Sequence, residues 1–101
     1  MKINTEQKLT LINGKEINLT LNYGSLNRLS AKEPKLVEEY FDIQSKTELL
    51  NDLEIAKTLY VAYRCAENEE PIMDYQNFLD NIPENRDTIS TLYATLLFPK
   101  N

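Results

Sequence analysis

The stretch that most constrains the fold of this chain is residues 47–68, which read TELLNDLEIAKTLYVAYRCAEN. Apolar side chains recur there at the three-to-four spacing of one helical face, which predicts a single long helix. The members of that face are Leu49, Leu53, Ala56, Tyr60 and Tyr63. We expect Thr47 to cap the N-terminus, because its hydroxyl can accept a hydrogen bond from a free backbone N–H. Pro71 follows the polar residues after the helix and should prevent its extension.

The same helix also carries apolar side chains around most of the rest of its circumference. A helix of this kind is either a central core helix or one that buries a second side against a partner. Both interpretations remain open from the sequence, and they are compatible. If a partner is bound, the partner-binding residues are predicted to be Leu50, Ile55, Leu59, Val61 and Ala62.

Residues 2–21 are predicted to form a β-hairpin, because apolar and polar residues alternate along both halves of this segment. Asn13 and Gly14 are a strong turn signal between the two strands. A two-residue loop there would split the apolar side chains between opposite faces of the hairpin, whereas a three-residue loop keeps them on one face. We therefore expect a three-residue loop, with one shared apolar face made of Leu9, Leu11, Ile17, Leu19 and Leu21.

Further helices are predicted on both sides of the central one. One or two helical turns are expected at residues 25–29, and Pro34 should open the next helix, since proline is tolerated in a first turn. Asp74 is expected to cap a short helix at residues 75–82. The last helix is predicted at about residues 86–97, where the apolar face is clear.

Together these elements predict an α+β, mainly α fold, in which an N-terminal β-hairpin precedes a small bundle of four to five helices. One hundred and one residues make a single domain, 1–101, with the hairpin at 2–21 and the helical part at 25–98. The predicted core contains Leu53, Ala56, Tyr60, Leu92 and Leu96, with Leu36, Tyr40 and Phe41 beside them.

The composition lacks the residues that most catalytic and metal sites require. The chain has no histidine, a single cysteine and two glycines, which argues against the usual zinc sites and against a glycine-rich phosphate loop. The carboxylates at residues 67–74 do not follow the spacing of a calcium loop. We expect Cys65 to be a small buried apolar residue. The sequence therefore predicts no enzymatic activity, no cofactor and no metal site.

The net charge is −5, and residues 51–101 carry nine acidic and four basic side chains. A surface of this sign repels phosphate backbones, so we expect no nucleic-acid binding. No segment has the roughly 20 apolar residues that a membrane span needs, and the N-terminus does not read as a signal peptide. With one cysteine and no export signal, the cytoplasm is the expected location.

Taken in order, the parts of the chain resemble the tail assembly chaperones of long-tailed, non-contractile bacteriophages. The resemblance lies in the series formed by the hairpin, the helix with TLYVAYRCAEN, the segment PIMDYQNFLDNI and a final helix that ends in LLFPKN. It implies a small, mainly helical, non-catalytic protein that associates with itself in the bacterial cytoplasm. It also implies that the protein keeps the long helical tape measure protein soluble and helps bring tail tube protein to it.

A second hypothesis belongs to a different class of function. The acidic bias of the C-terminal half would suit a small protein that inhibits a nucleic-acid-binding enzyme by presenting carboxylates in place of phosphates. This hypothesis predicts carboxylates arranged on one face, whereas in the sequence they cluster in loops.

Overall fold

The computed structural model describes residues 6–46 and 48–97, and its elements follow the predicted order. The described strands are β1 (Gln7–Thr10) and β2 (Glu16–Leu19). The described helices are α1 (Tyr23–Lys32), α2 (Pro34–Gln44), α3 (Asp52–Cys65), α4 (Tyr75–Asn81) and α5 (Arg86–Leu97). This N-terminal antiparallel hairpin, followed by five helices, confirms the predicted α+β, mainly α fold class.

The hairpin has the three-residue loop that the apolar pattern predicts. The Leu11 N–H donates to the Lys15 carbonyl at 2.8 Å, so the loop consists of residues 12–14. Gly14 takes a left-handed conformation with φ of +89°, which glycine adopts without a steric penalty. The predicted apolar face is buried throughout, at Leu9, Leu11, Ile17, Leu19 and Leu21. The remaining predicted hairpin residues, 2–5, lie outside the described residues.

α3 lies at the centre of the fold and contacts β2 and each of the other four described helices. The Thr20 N–H donates to the Ala62 carbonyl at 3.1 Å, which joins the end of the hairpin to the middle of α3. Eight of the 14 residues of α3 are buried, and they lie on more than one side of the helix. The apolar circumference noted in the sequence therefore serves mainly to build the core, because neighbours surround α3 on most sides.

The start of α3 differs from the prediction. The helix begins at Asp52, and its cap is Asn51, whose side chain accepts from the Glu54 N–H at 2.8 Å. The Glu54 carboxylate in turn accepts from the Asn51 N–H at 2.9 Å, which completes a capping box. Thr47 lies outside the described residues, and a helix that begins at Asp52 has no cap at that position. The reciprocal pair of hydrogen bonds satisfies two free N–H groups at once and so fixes the start of the helix further along the chain.

Two residues assigned to the core are exposed. Leu53 has 66% of its surface exposed because it lies in the first turn of α3 and projects past the neighbouring helices. Phe41 is 47% exposed, because Ile43 takes its place in the buried stripe of α2. The other predicted core residues are buried except for Leu92, which is half-buried against the core.

The flanking helices lie where they are predicted, but α1 extends beyond residues 25–29 at both ends and α4 ends at Asn81, one residue before the predicted end. α1 begins at Tyr23 and is longer than predicted, because the Asn22 side chain caps it by accepting from the Ser25 N–H at 2.8 Å. α2 begins at Pro34, and α4 is capped by Asp74, as predicted. α5 has the predicted bounds. None of the described helices is long and apolar enough to cross a membrane.

Candidate functional site

An open groove with a volume of about 380 Å³ lies where the first turns of α3 and α5 meet the end of α4. We call it the apolar groove, because aliphatic side chains form most of its lining. These are Leu53, Ile55, Ala56, Leu79, Ile82, Pro83 and Ile89. A volume of this size falls within the roughly 300–1,000 Å³ typical of ligand sites.

The groove exists because of how α4 ends and α5 begins. α4 stops at Asn81, and the next residue, Ile82, is extended with ψ of 148°, ahead of Pro83. The chain then turns through a short connection in which the Asn85 side chain accepts from the Thr88 N–H at 3.2 Å. α4 and α5 therefore diverge from a common point, and the N-terminal turn of α3 lines the space beside them.

An exposed apolar patch, which we define as Leu49 and Leu53, adjoins the apolar groove through Leu53, which belongs to the lining. Leu49 is 98% exposed and Leu53 is 66% exposed. Exposed leucines are common on protein surfaces when they occur singly, but here Leu49 precedes Leu53 by only four residues, and Leu53 lines an apolar concavity. Concave apolar surface that continues onto exposed leucines is the character of a protein-binding site.

An ion pair crosses the rim between the two helices that begin there. The Arg86 guanidinium donates to the Asp52 carboxylate at 2.6 Å. Both side chains are mostly exposed, so water and salt screen the pair and its contribution to stability is small. Its consequence is geometric, because it joins the first turn of α5 to the first turn of α3.

The exposed first turn of α3 is held from behind by Tyr75. Its hydroxyl donates to the Leu53 carbonyl at 3.3 Å, and the ammonium of Lys57 lies 4.2 Å from the centre of its ring. Lys57 also pairs with Glu39 of α2 at 3.2 Å. Partial burial raises the pKa of the Tyr75 hydroxyl, which therefore keeps its proton and remains a donor. The hydrogen bond from Tyr75 thus holds the backbone at Leu53 in place, while the Leu53 side chain stays exposed.

The residues predicted from the sequence to bind a partner are distributed over two environments. Ile55 is half-buried and lines the apolar groove, and Leu50 is half-buried in the segment that leads to it. The other three, Leu59, Val61 and Ala62, have no exposed surface. They are core residues, because the hairpin and the other helices enclose this part of α3, and they cannot touch a partner while the domain keeps this packing.

The helical spacing places both residues of the exposed patch on the apolar face of the predicted helix, and it places Leu53 in the predicted core. A local signal for the correct assignment is present in the sequence. Asn51 and Glu54 have the spacing of a capping box, and a helix capped there places Leu49 before the helix and Leu53 in its first turn.

A second cleft, of about 300 Å³, lies between α1 and the C-terminal end of α3. Its lining mixes charges of both signs, with Arg28 and Lys32 from α1 facing Glu67 and Glu70. The buried thiol of Cys65 lies at its edge, where burial raises the pKa to about 11 although Arg28 opposes the shift. A thiol with so high a pKa stays protonated at neutral pH and is a poor nucleophile.

Over residues 6–46 and 48–97, no group of three or more cysteine, aspartate or glutamate side chains is placed to hold a metal ion. The buried polar side chains of this part of the chain all have hydrogen-bond partners. The apolar groove and its exposed patch are therefore the strongest candidate site. A scan against protein families, a search of curated proteins and a search of solved structures find no match to this chain.

Proposed function

We propose that this protein is a non-catalytic phage tail assembly chaperone that holds an apolar stripe of a long helical protein in the apolar groove. The observation that carries the proposal is the continuity between the groove and the exposed patch of Leu49 and Leu53. The resemblance of the chain to tail assembly chaperones suggests the partners. The tape measure protein would be the bound helix and tail tube protein a further partner, in the bacterial cytoplasm.

The shape of the site suits a helix. An amphipathic helix binds a groove through apolar side chains at positions i, i+3, i+4 and i+7. Ile82 and Ile89 face the apolar side chains of α3 across the groove, so a row of side chains could insert between these walls. A tape measure protein is expected to expose such stripes along its length before the tail is assembled.

The strength of one such contact should be modest. Burying one exposed leucine side chain stabilises a complex by about 1.5–3 kcal/mol before the losses of association are counted. One groove therefore holds its partner weakly. Several copies bound along one long helix would hold it firmly, since linked weak contacts add through effective concentration. Before a partner is bound, weak self-association of the chaperone would cover the same apolar surface.

The alternative of an acidic inhibitor has less support. In residues 51–101, where the acidic bias lies, Asp52 and Glu54 are already paired with Arg86 and Lys46, which reduces the charge available to imitate phosphates.

The test is co-expression with the tape measure protein, whose gene this proposal places beside the gene of this protein. The wild-type chain should raise the soluble yield of that protein, and the double variant Leu49→Glu, Leu53→Glu should lose most of this effect. Tyr23→Glu is the matched control, because Tyr23 is 84% exposed on α1, which packs against α2 and α3. Circular dichroism of the purified variants shows whether they remain folded. An unchanged yield with the folded double variant would contradict the proposed binding surface.

A further inference from the structure

The apolar groove is bordered mainly by negative charge. Asp52 and Glu84 belong to its lining, and Asp80 and Asp87 directly adjoin lining residues in the sequence. The cation of the lining is Arg86, which Asp52 already neutralises. Asp80, Glu84 and Asp87 are exposed and form no ion pair with the described lysine and arginine residues. Within the lining, Glu84 of the α4–α5 connection is therefore the uncompensated charge, and Asp80 and Asp87 add negative charge to the neighbouring parts of α4 and α5.

We propose that the helix bound by this groove carries lysine or arginine residues along the edge of its apolar stripe that faces the α4–α5 connection. The inference rests on the proposed function, and it specifies the chemistry of the partner. It selects a basic-flanked amphipathic helix among all the helices that could offer an apolar stripe.

Helices with acidic flanks and helices with basic flanks would meet the charges of the groove differently. A helix with acidic flanks would bring its carboxylates beside Glu84, and like charges placed together at an interface are repelled. A helix with basic flanks would meet opposite charges there. Lysine and arginine also have long aliphatic stems that can lie over exposed apolar surface while their charged ends reach a carboxylate.

The size of the effect follows from the exposure of these carboxylates. An exposed ion pair contributes about 0.2–1 kcal/mol, so two such pairs change a binding constant by roughly two- to thirtyfold. Complementary charge at a rim acts mainly on the association rate and depends on salt. The apolar stripe should therefore set whether a helix binds, and the basic flank should set which helix is preferred.

The experiment uses three fluorescent helical peptides with one identical leucine and isoleucine stripe, flanked by lysine, glutamine or glutamate. Fluorescence anisotropy with the full-length protein measures each dissociation constant from about 0.01 M to about 1 M salt, where the screening length falls from roughly 30 Å to roughly 3 Å. The lysine-flanked peptide should bind roughly tenfold more tightly than the glutamate-flanked peptide at low salt. This ratio should approach one at high salt.

Two variants assign the effect to the proposed border. Asp80→Lys with Glu84→Lys should abolish or reverse the preference for the lysine-flanked peptide. Glu38→Lys with Asp42→Lys is the matched control, because both residues are exposed on α2, and it should retain the preference. The proposed border contains neither control residue.

The outcomes separate the inference from the proposed function. Equal binding of all three peptides at low salt would overturn the inference and leave the groove as a helix-binding site. Loss of the preference in the α2 control as well would show a general charge effect and would also overturn it. No binding of any peptide would overturn both the inference and the proposed function.

Discussion

The side chain of Asn68 pairs with both backbone polar groups of Asn18 on the outer edge of β2. Its Oδ1 accepts from the Asn18 N–H at 2.8 Å, and its Nδ2 donates to the Asn18 carbonyl at 2.8 Å. The same Nδ2 also donates to the Tyr63 carbonyl at 3.0 Å. One amide thus takes the place of a neighbouring strand and joins the hairpin to the end of α3.

The first prediction concerns this amide. Asn68→Asp keeps the shape of the side chain but replaces the donor with an oxygen that faces two carbonyl groups. We expect the free energy of unfolding to fall by about 1–3 kcal/mol at neutral pH, because two half-buried acceptors lose their partner. Urea unfolding followed by circular dichroism measures this change.

The matched control is Asn27→Asp, which makes the same chemical change at an exposed position of α1. It should alter the free energy of unfolding by less than about 0.5 kcal/mol. Equal effects of the two substitutions would show that the loss comes from added charge and that the amide bridge contributes little.

The second prediction tests which side of α3 faces the core. Leu59 has no exposed surface and Leu53 is mostly exposed, although both lie on the same helix. Leu59→Ala should lower the free energy of unfolding by roughly 2–5 kcal/mol. Leu53→Ala should change it by less than about 0.5 kcal/mol, since it creates no cavity. A similar midpoint shift in urea for the two variants would show that the first turn of α3 is packed differently in solution.

Much of the fold could be predicted because it depends on short-range rules. The hairpin register follows from keeping Leu9, Leu11 and Ile17 on one face, and only one loop length satisfies that condition. The starts of α2 and α4 follow from Pro34 and Asp74, whose effects are local. Where two local signals competed, as at Thr47 and Asn51, the reciprocal capping box determined the helix start.

The candidate site could not be predicted in the same way, because exposure depends on which elements come together. Helical spacing places Leu53 on the same face as Ala56 and Tyr60, yet Leu53 lies beyond the reach of the neighbouring helices. In the sequence Leu59 lies off the main apolar face of the helix, but in the structure its side chain is fully buried. The groove arises from the divergence of α4 and α5, which periodicity within one helix does not encode.

The third prediction concerns the reactivity of Cys65. Burial raises the pKa of this thiol from 9.0 to about 11, so at pH 8 the folded protein should contain roughly a hundredfold less thiolate than the unfolded chain. Labelling by a thiol-specific disulfide reagent should be slow in buffer and fast in urea. Because the raised pKa favours the neutral thiol, its contribution to stability persists below pH 9 and is lost as the pH approaches about 11. Rapid labelling of the folded protein at pH 8 would contradict this burial.

The fourth prediction concerns self-association through the exposed patch of Leu49 and Leu53. Contact between the patches of two copies would bury four leucines, which is a gross gain of about 6–12 kcal/mol. Association itself costs about 4–15 kcal/mol, so the net attraction should be weak and depend on concentration. Light scattering over a concentration series should show species larger than the monomer at high protein concentration.

Leu53→Glu should shift the distribution towards the monomer, and Tyr23→Glu should not. Addition of the lysine-flanked peptide should act like Leu53→Glu, because the peptide would occupy the same surface. A wild-type protein that remains strictly monomeric at high concentration would contradict this prediction, and association unaffected by Leu53→Glu would place the contact on another face.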